Sequence, residues 1–169
     1  MSRVLIVYFS RTGATRRVAA ALATTLHADV EEIIDRSDRS GTLGILRCVL
    51  DSVMRRSASV EPMRHDLSAY QMVVIGSPVW AGRVSAPVRA WLATHRRRLP
   101  RVALFCTLAG RSSESALKEL CELAAKQPVA RCAISQRNAP QGEESRALNL
   151  FAQRIERTLA HIEEIEWAA

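Results

Sequence analysis

Ser10-Arg11-Thr12-Gly13-Ala14-Thr15 places three hydroxyls and a glycine in six residues, directly after the apolar run Val4-Leu5-Ile6-Val7-Tyr8-Phe9. A strand that ends in such a turn and passes at once into a helix aims several backbone N–H groups at one small volume. The positive end of the helix dipole faces the same volume. The chemistry on offer is the holding of a phosphate. The hexamer lacks the Gly-Lys-Ser/Thr ending of a P-loop and the three spaced glycines of a dinucleotide-binding turn. Hydroxyls stand where a lysine or close glycine approach would otherwise act, so the expected ligand is a monophosphate held by neutral donors. An ordinary N-capped helix start accounts for the same residues, because Ser, Thr and Gly are all good caps.

Two further stretches carry candidate chemistry. Gly76-Ser77-Pro78-Val79-Trp80-Ala81-Gly82-Arg83 follows the apolar residues 72–75. Gly76 permits close backbone approach, Pro78 stiffens a loop, and Trp80 offers a flat face for stacking on a planar ligand, with a core or lid position as the alternative. Cys106-Thr107-Leu108-Ala109-Gly110-Arg111-Ser112 closes another apolar run with small residues.

The elements that must position these stretches follow from periodicity. Short apolar runs at 3–9, 30–34, 72–76, 102–106 and 129–135 read as strands, and amphipathic segments at 15–26, 43–55, 86–97, 113–126 and 143–164 read as helices. In the last helix Leu148, Phe151, Ile155, Leu159 and Ile162 recur every three or four residues as one apolar stripe. Ser112 or Ser113 is expected to cap the fourth helix, and a loop at 138–142 to separate the last strand from the last helix. Strands alternating with helices pair in parallel, and nearly continuous apolar runs fit a sheet covered on both faces. The expectation is an α/β three-layer α-β-α sandwich over residues 1–169, one domain, with a five-stranded parallel sheet in the flavodoxin-like order 2-1-3-4-5. Ligands of such sheets bind at the carboxyl ends of the strands, at the switch point between the first and third. The hexamer ends the first strand, so motif and topology point to one place.

Composition bounds the function classes. Hydrophobic residues make up 48% and charged residues 24%, the balance of an ordinary globular chain and not of a disordered one. No apolar run approaches the ~20 residues that span a bilayer, and no signal-peptide pattern opens the chain, so a cytoplasmic protein without stable membrane insertion is expected. Cys48, Cys106, Cys121 and Cys132 form no ligand cluster and are read as reduced packing residues. The histidines show no metal spacing, and no metal is expected. The net charge is +7, with arginines clustered at 16–17, 55–56 and 96–98. No aromatic interleaving or nucleic-acid module accompanies them, so they read as solvated faces that attract acidic partners or anionic substrates.

The chain resembles the flavodoxin-like family over essentially its whole length. Ser10, Thr12, Gly13 and Thr15 match the family's Ser/Thr-x-Thr-Gly-x-Thr phosphate loop, and Gly76-Ser77-Pro78-Val79-Trp80 is similar to its Gly-Thr/Ser-Pro-x-Trp loop. The resemblance implies FMN as cofactor. Its phosphate would lie on Ser10, Arg11, Thr12, Gly13, Ala14 and Thr15. Its ring would lie between Ser77, Pro78, Val79, Trp80, Ala81 and Gly82 on one side and Thr107, Leu108, Ala109 and Gly110 on the other. No long insertion interrupts the last strand, so the chain resembles the short-chain form. Two departures bear on activity. Electron-carrier flavodoxins are strongly acidic whereas this chain is basic, and residues 107–112 lack the aromatic that often covers the outer flavin face.

The resemblance therefore implies an oxidoreductase of the quinone-reductase type more than a carrier. NAD(P)H would be the donor and a quinone or other small acceptor the oxidant, the flavin itself carrying the chemistry, with Arg83 and Arg111 helping to hold negative charge. The alternatives are a non-catalytic FMN electron carrier serving a redox partner protein, a protoporphyrinogen-oxidase-like enzyme, and a flavin-free binding module. An oligomer would complete an open flavin edge.

Overall fold

The computed structural model describes residues 2–36, 58–109, 114–135 and 142–167. β1 (Val4–Tyr8) leads into α1 (Ala14–Leu26), then β2 (Asp29–Glu32), and a 3-10 helix at Leu67–Ala69 precedes β3 (Met72–Trp80). β4 (Arg83–Val84), α2 (Ala86–His95), β5 (Arg101–Leu108), α3 (Glu114–Ala124), β6 (Arg131–Ser135) and α4 (Glu143–Trp167) complete the order. The expected helix at 43–55, Cys48, the cap at Ser112 or Ser113 and most of the 138–142 loop lie outside the described residues.

The sheet runs β2-β1-β3-β5-β6, all parallel, and β4 hangs antiparallel on the end of β3. Setting that two-residue strand aside, this is the expected order 2-1-3-4-5. Alternation along β1 sorts its side chains between two cores. Val4, Ile6 and Tyr8 join Val18 and Leu22 of α1 and Phe151, Ile155 and Leu159 of α4. Leu5, Val7 and Phe9 join Val88, Trp91 and Leu92 of α2 and Leu120 of α3. Both faces are covered, so every residue of β1 is buried, which is the origin of its unbroken apolar run.

The apolar stripe of α4 holds its assigned side, and the helix extends to Trp167. Cys106, Cys121 and Cys132 are free thiols. Burial, with smaller contributions from Cys121, Cys132 and Glu119 nearby, pushes the Cys106 thiol up to about 12, and burial alone takes Cys132 to about 11. Both pack as small apolar groups.

β3 is longer than the sequence suggests. The apolar run predicts a stop near Gly76 and a loop beyond it, yet Ser77 and Pro78 stay in register with Cys106 and Thr107 of β5. Val79 and Trp80 then pair with Val84 and Arg83. The turn between them is Ala81-Gly82, with φ of 48° and 74°, the two positive values of a type I′ hairpin. Gly82 adopts its value freely, but Ala81 carries a Cβ that the left-handed region penalises by roughly 1 kcal/mol. Ala81→Gly is expected to recover about that much, raising the thermal midpoint by roughly 2–4 °C in a calorimetric scan.

Candidate functional site

The hexamer occupies the carboxyl end of β1, where Gly13 sits at φ 88° as the residue that caps α1. The helix therefore opens on a left-handed glycine without a hydroxyl at the cap. Ser10 does part of the capping from a distance, its Oγ accepting the Arg16 amide at 3.2 Å. The amides of Gly13, Ala14 and Thr15 have no acceptor within the helix and point off its positive end. A Cβ placed on Gly13 would meet nothing within 4 Å, so the space above the loop is open. One hydroxyl of the hexamer therefore serves the start of α1, while the first helical amides take no acceptor within the helix. Thr12 is exposed and Arg11 and Ala14 half-buried.

Thr15 is buried, and its Oγ1 lies 2.8 Å from Oγ1 of Thr107, ninety-two residues away on β5. Two hydroxyls sharing one hydrogen bond use one proton and leave the other for a third partner. The Ser10 hydroxyl, once it accepts an amide, likewise keeps its proton for donation. The Thr15–Thr107 pair also ties the first loop to the end of β5. Thr107→Val would strand the buried Thr15 hydroxyl and is expected to cost about 1–2 kcal/mol in a urea melt. Combining it with Thr15→Val should recover most of that loss, since two apolar groups of matched shape need no bond.

The β3 end contributes differently from expectation. Ser77 is fully buried and turns inward: its Oγ accepts the Ser85 amide and lies 3.2 Å from the Ser85 Oγ, fastening the hairpin to the start of α2. Pro78 is buried and Val79 half-buried. Trp80 is half-exposed, with its ring perpendicular to Phe9 at a centroid distance of 6.0 Å. Ala81 and Gly82 form the hairpin tip. Gly76 stands opposite Phe105 in the ladder. A Cβ there would meet the Phe105 ring at 2.2 Å, so the glycine is required by packing. Leu108 is buried and Ala109 exposed, while Gly110, Arg111 and Ser112 lie outside the described residues.

The ends of β1, β3 and β5 thus meet on one edge, with Phe9 N–H bonded to the Gly76 carbonyl at 3.2 Å. No family model matches the sequence, and no curated protein matches it either. Solved structures do. A flavoprotein in complex with FMN from Lactobacillus acidophilus aligns with a TM-score of 0.69 at 21% identity, over 79% of this chain and 93% of that one. The flavodoxin, WrbA-like protein of Agrobacterium tumefaciens gives 0.57 at 16% identity, over 91% and 99%. Rubredoxin oxygen:oxidoreductase from Desulfovibrio gigas gives 0.61 at 19%, covering 94% of this chain and 36% of its own longer one. The chain has a flavodoxin-like fold.

On this flavodoxin-like frame several residues matter that the sequence did not single out. Glu119 of α3 accepts the Val84 amide at 3.0 Å and lies 3.9 Å from Arg83, so Arg83 is drawn toward α3. Arg16 pairs with Glu32 at 2.8 Å and Arg17 with Glu144 at 2.9 Å. These contacts join elements far apart in the chain, and no local pattern signals them.

Tyr8 donates to Glu32 at 3.3 Å and Tyr70 to Asp29 at 2.8 Å. Burial first, then the adjacent carboxylates, raise both phenols, Tyr70 to about 12. They are the only two tyrosines in the chain. The folded protein is expected to show little tyrosinate absorbance at pH 10, where the unfolded chain is half titrated. A raised folded pKa means this stabilisation is complete below pH 10 and is lost as pH climbs through the folded values.

Proposed function

We propose that the protein is an FMN-dependent oxidoreductase that uses NAD(P)H to reduce quinone-like or other small acceptors. The observation that carries this is the carboxyl edge, where an open left-handed glycine loop at a helix N-terminus stands beside Trp80 and the Thr15–Thr107 pair. A phosphate monoester suits the donor set: unpaired helix amides, hydroxyls with protons to spare, and no carboxylate among residues 10–15. The flavodoxin-like fold and the FMN held by its Lactobacillus acidophilus neighbour support the cofactor.

Bound flavin supplies hydride acceptance and transfer; the protein supplies binding and orientation. Residues 10–15 anchor the phosphate. The stiff hairpin at 77–82, pinned by Ser77–Ser85 and by Glu119, sets one wall of the ring site. Thr107, Leu108 and Ala109 set the other wall, and the sequence 107–112 carries no aromatic that would compete with a nicotinamide or quinone for the flavin face. The basic balance of the chain favours an enzyme with anionic substrates over a carrier that docks basic proteins.

The visible spectrum of the purified protein, with mass spectrometry of the released cofactor, tests FMN. Quinone reduction driven by NADH or NADPH alone tests the activity. A yellow protein that turns over with neither nucleotide but holds a stable semiquinone on dithionite titration is an electron carrier. A colourless one that leaves FMN fluorescence unquenched has lost the cofactor altogether.

A further inference from the structure

The two edges of the sheet are finished in different ways. Beyond β2 the chain covers its own edge: the Arg36 amide bonds to Ser59, the Glu61 amide to Ile34, and the Glu31 carboxylate takes the amides of Arg64 and His65. At the other end the Ala130 carbonyl accepts from Leu104 on β5. By alternation residues 130, 132 and 134 face β5, while Arg131 and Ala133 turn their N–H and C=O groups outward. Among the described residues no strand pairs with that outer side.

Beside this outer side lies a groove of about 490 Å³ between β6 and α4. Its floor includes Phe151 and Ala147, and its rim carries Arg131, Arg154 and Arg157, with Leu150 58% exposed. Leu150, Arg154 and Arg157 fall on one face of α4 by their spacing. None of the three arginines has an ion pair among the described residues, although Arg3, Arg16, Arg17 and Arg98 do. A charged edge residue alone guards against unwanted strand pairing. An apolar hollow rimmed by three arginines with no ion pair among the described residues goes beyond what a guard requires.

We infer that an extended acidic segment of a partner protein docks here, adding a strand to β6, with apolar side chains in the groove and carboxylates on the arginines. Charge selects the occupant, in a chain of net charge +7. A second copy is poorly suited: the chain's own acidic strand is β2, and its carboxylates are held by Tyr70, His65 and Arg16. Single-stranded nucleic acid would want stacking aromatics, and Phe151 at 3% exposure offers none.

The test is fluorescence anisotropy of a dye-labelled peptide of alternating valine and glutamate, titrated with the full chain. Saturable binding is expected. The combined R131E, R154E and R157E variant should weaken it by about tenfold or more, three rim charges being removed and reversed. Ala133→Pro, which deletes an outward N–H, should weaken it further, and R96E with R97E should leave it unchanged. Circular dichroism checks the proline variant; if that strand does not fold, the exposed arginines alone decide. Equal loss with R96E and R97E, equal binding of a valine–lysine peptide, or no peptide binding would overturn the inference. So would light scattering that shows a dimer broken by the arginine variant, or single-stranded DNA binding in place of the peptide.

Discussion

Replacing Gly76 with alanine is expected to destabilise the protein by about 2–3 kcal/mol, the upper part of the range for overpacking. The added Cβ would stand 2.2, 2.5 and 2.8 Å from three carbons of the Phe105 ring. Three simultaneous contacts mean that a small ring tilt relieves one only by tightening another. Phe105 is fully buried in the core under α1 and α4, so it has no vacant rotamer to move into at interior packing density. The remaining response is to part β3 from β5, which strains a ladder running from Met72–Arg101 to Pro78–Thr107. A thermal midpoint lowered by roughly 4–12 °C is expected for a chain of this size. Phe105→Leu, harmful alone, should be less harmful beside Gly76→Ala, so the double-mutant cycle carries a favourable coupling. An unchanged urea midpoint in Gly76→Ala would mean that the glycine is not there for packing.

The same glycine shows where the sequence is legible and where it is not. Whatever depends on near neighbours could be read. The apolar run of β1 implies two covered faces, the spacing of Phe151, Ile155 and Leu159 gives the inner side of α4, and strand–helix alternation gives the parallel pairing. Whatever depends on a distant partner could not. Gly76 next to Pro78 and Trp80 looks like a loop shaped for a ligand, because nothing local says that Phe105 will lie across it. Pro78 argues against a strand by its missing N–H, but its register with Thr107 and the β4 hairpin keep β3 going. Ser77 looks like an outward donor until Ser85 claims it, and nothing local says that Thr15 shares a hydrogen bond with Thr107. The loops were locatable; the direction in which each side chain faces was set by the third dimension.

Gly13→Val is the substitution that separates anchoring from folding. The backbone at 13 lies at φ 88°, where a β-branched residue is a strong outlier, so a stability loss of about 1–2 kcal/mol is expected from backbone strain alone. No clash adds to it, because the Cβ position is open. The fold therefore survives with a modestly lower urea midpoint. Under the FMN reading the effect on binding is far larger. The strained loop relaxes, the amides of Gly13–Thr15 lose their common aim, and a side chain enters the open volume. Each lost hydrogen bond to a charged phosphate is worth roughly 1.5–3 kcal/mol, so losing two of them lowers FMN affinity by about two to four orders of magnitude. Thr12→Ala removes one exposed hydroxyl without touching the backbone, and should cost about one to two orders with no change in the urea midpoint. FMN fluorescence quenching measures both. If Gly13→Val lowered stability and left FMN affinity intact, the phosphate would be held elsewhere, and Ser10–Thr15 would be no more than the way α1 begins.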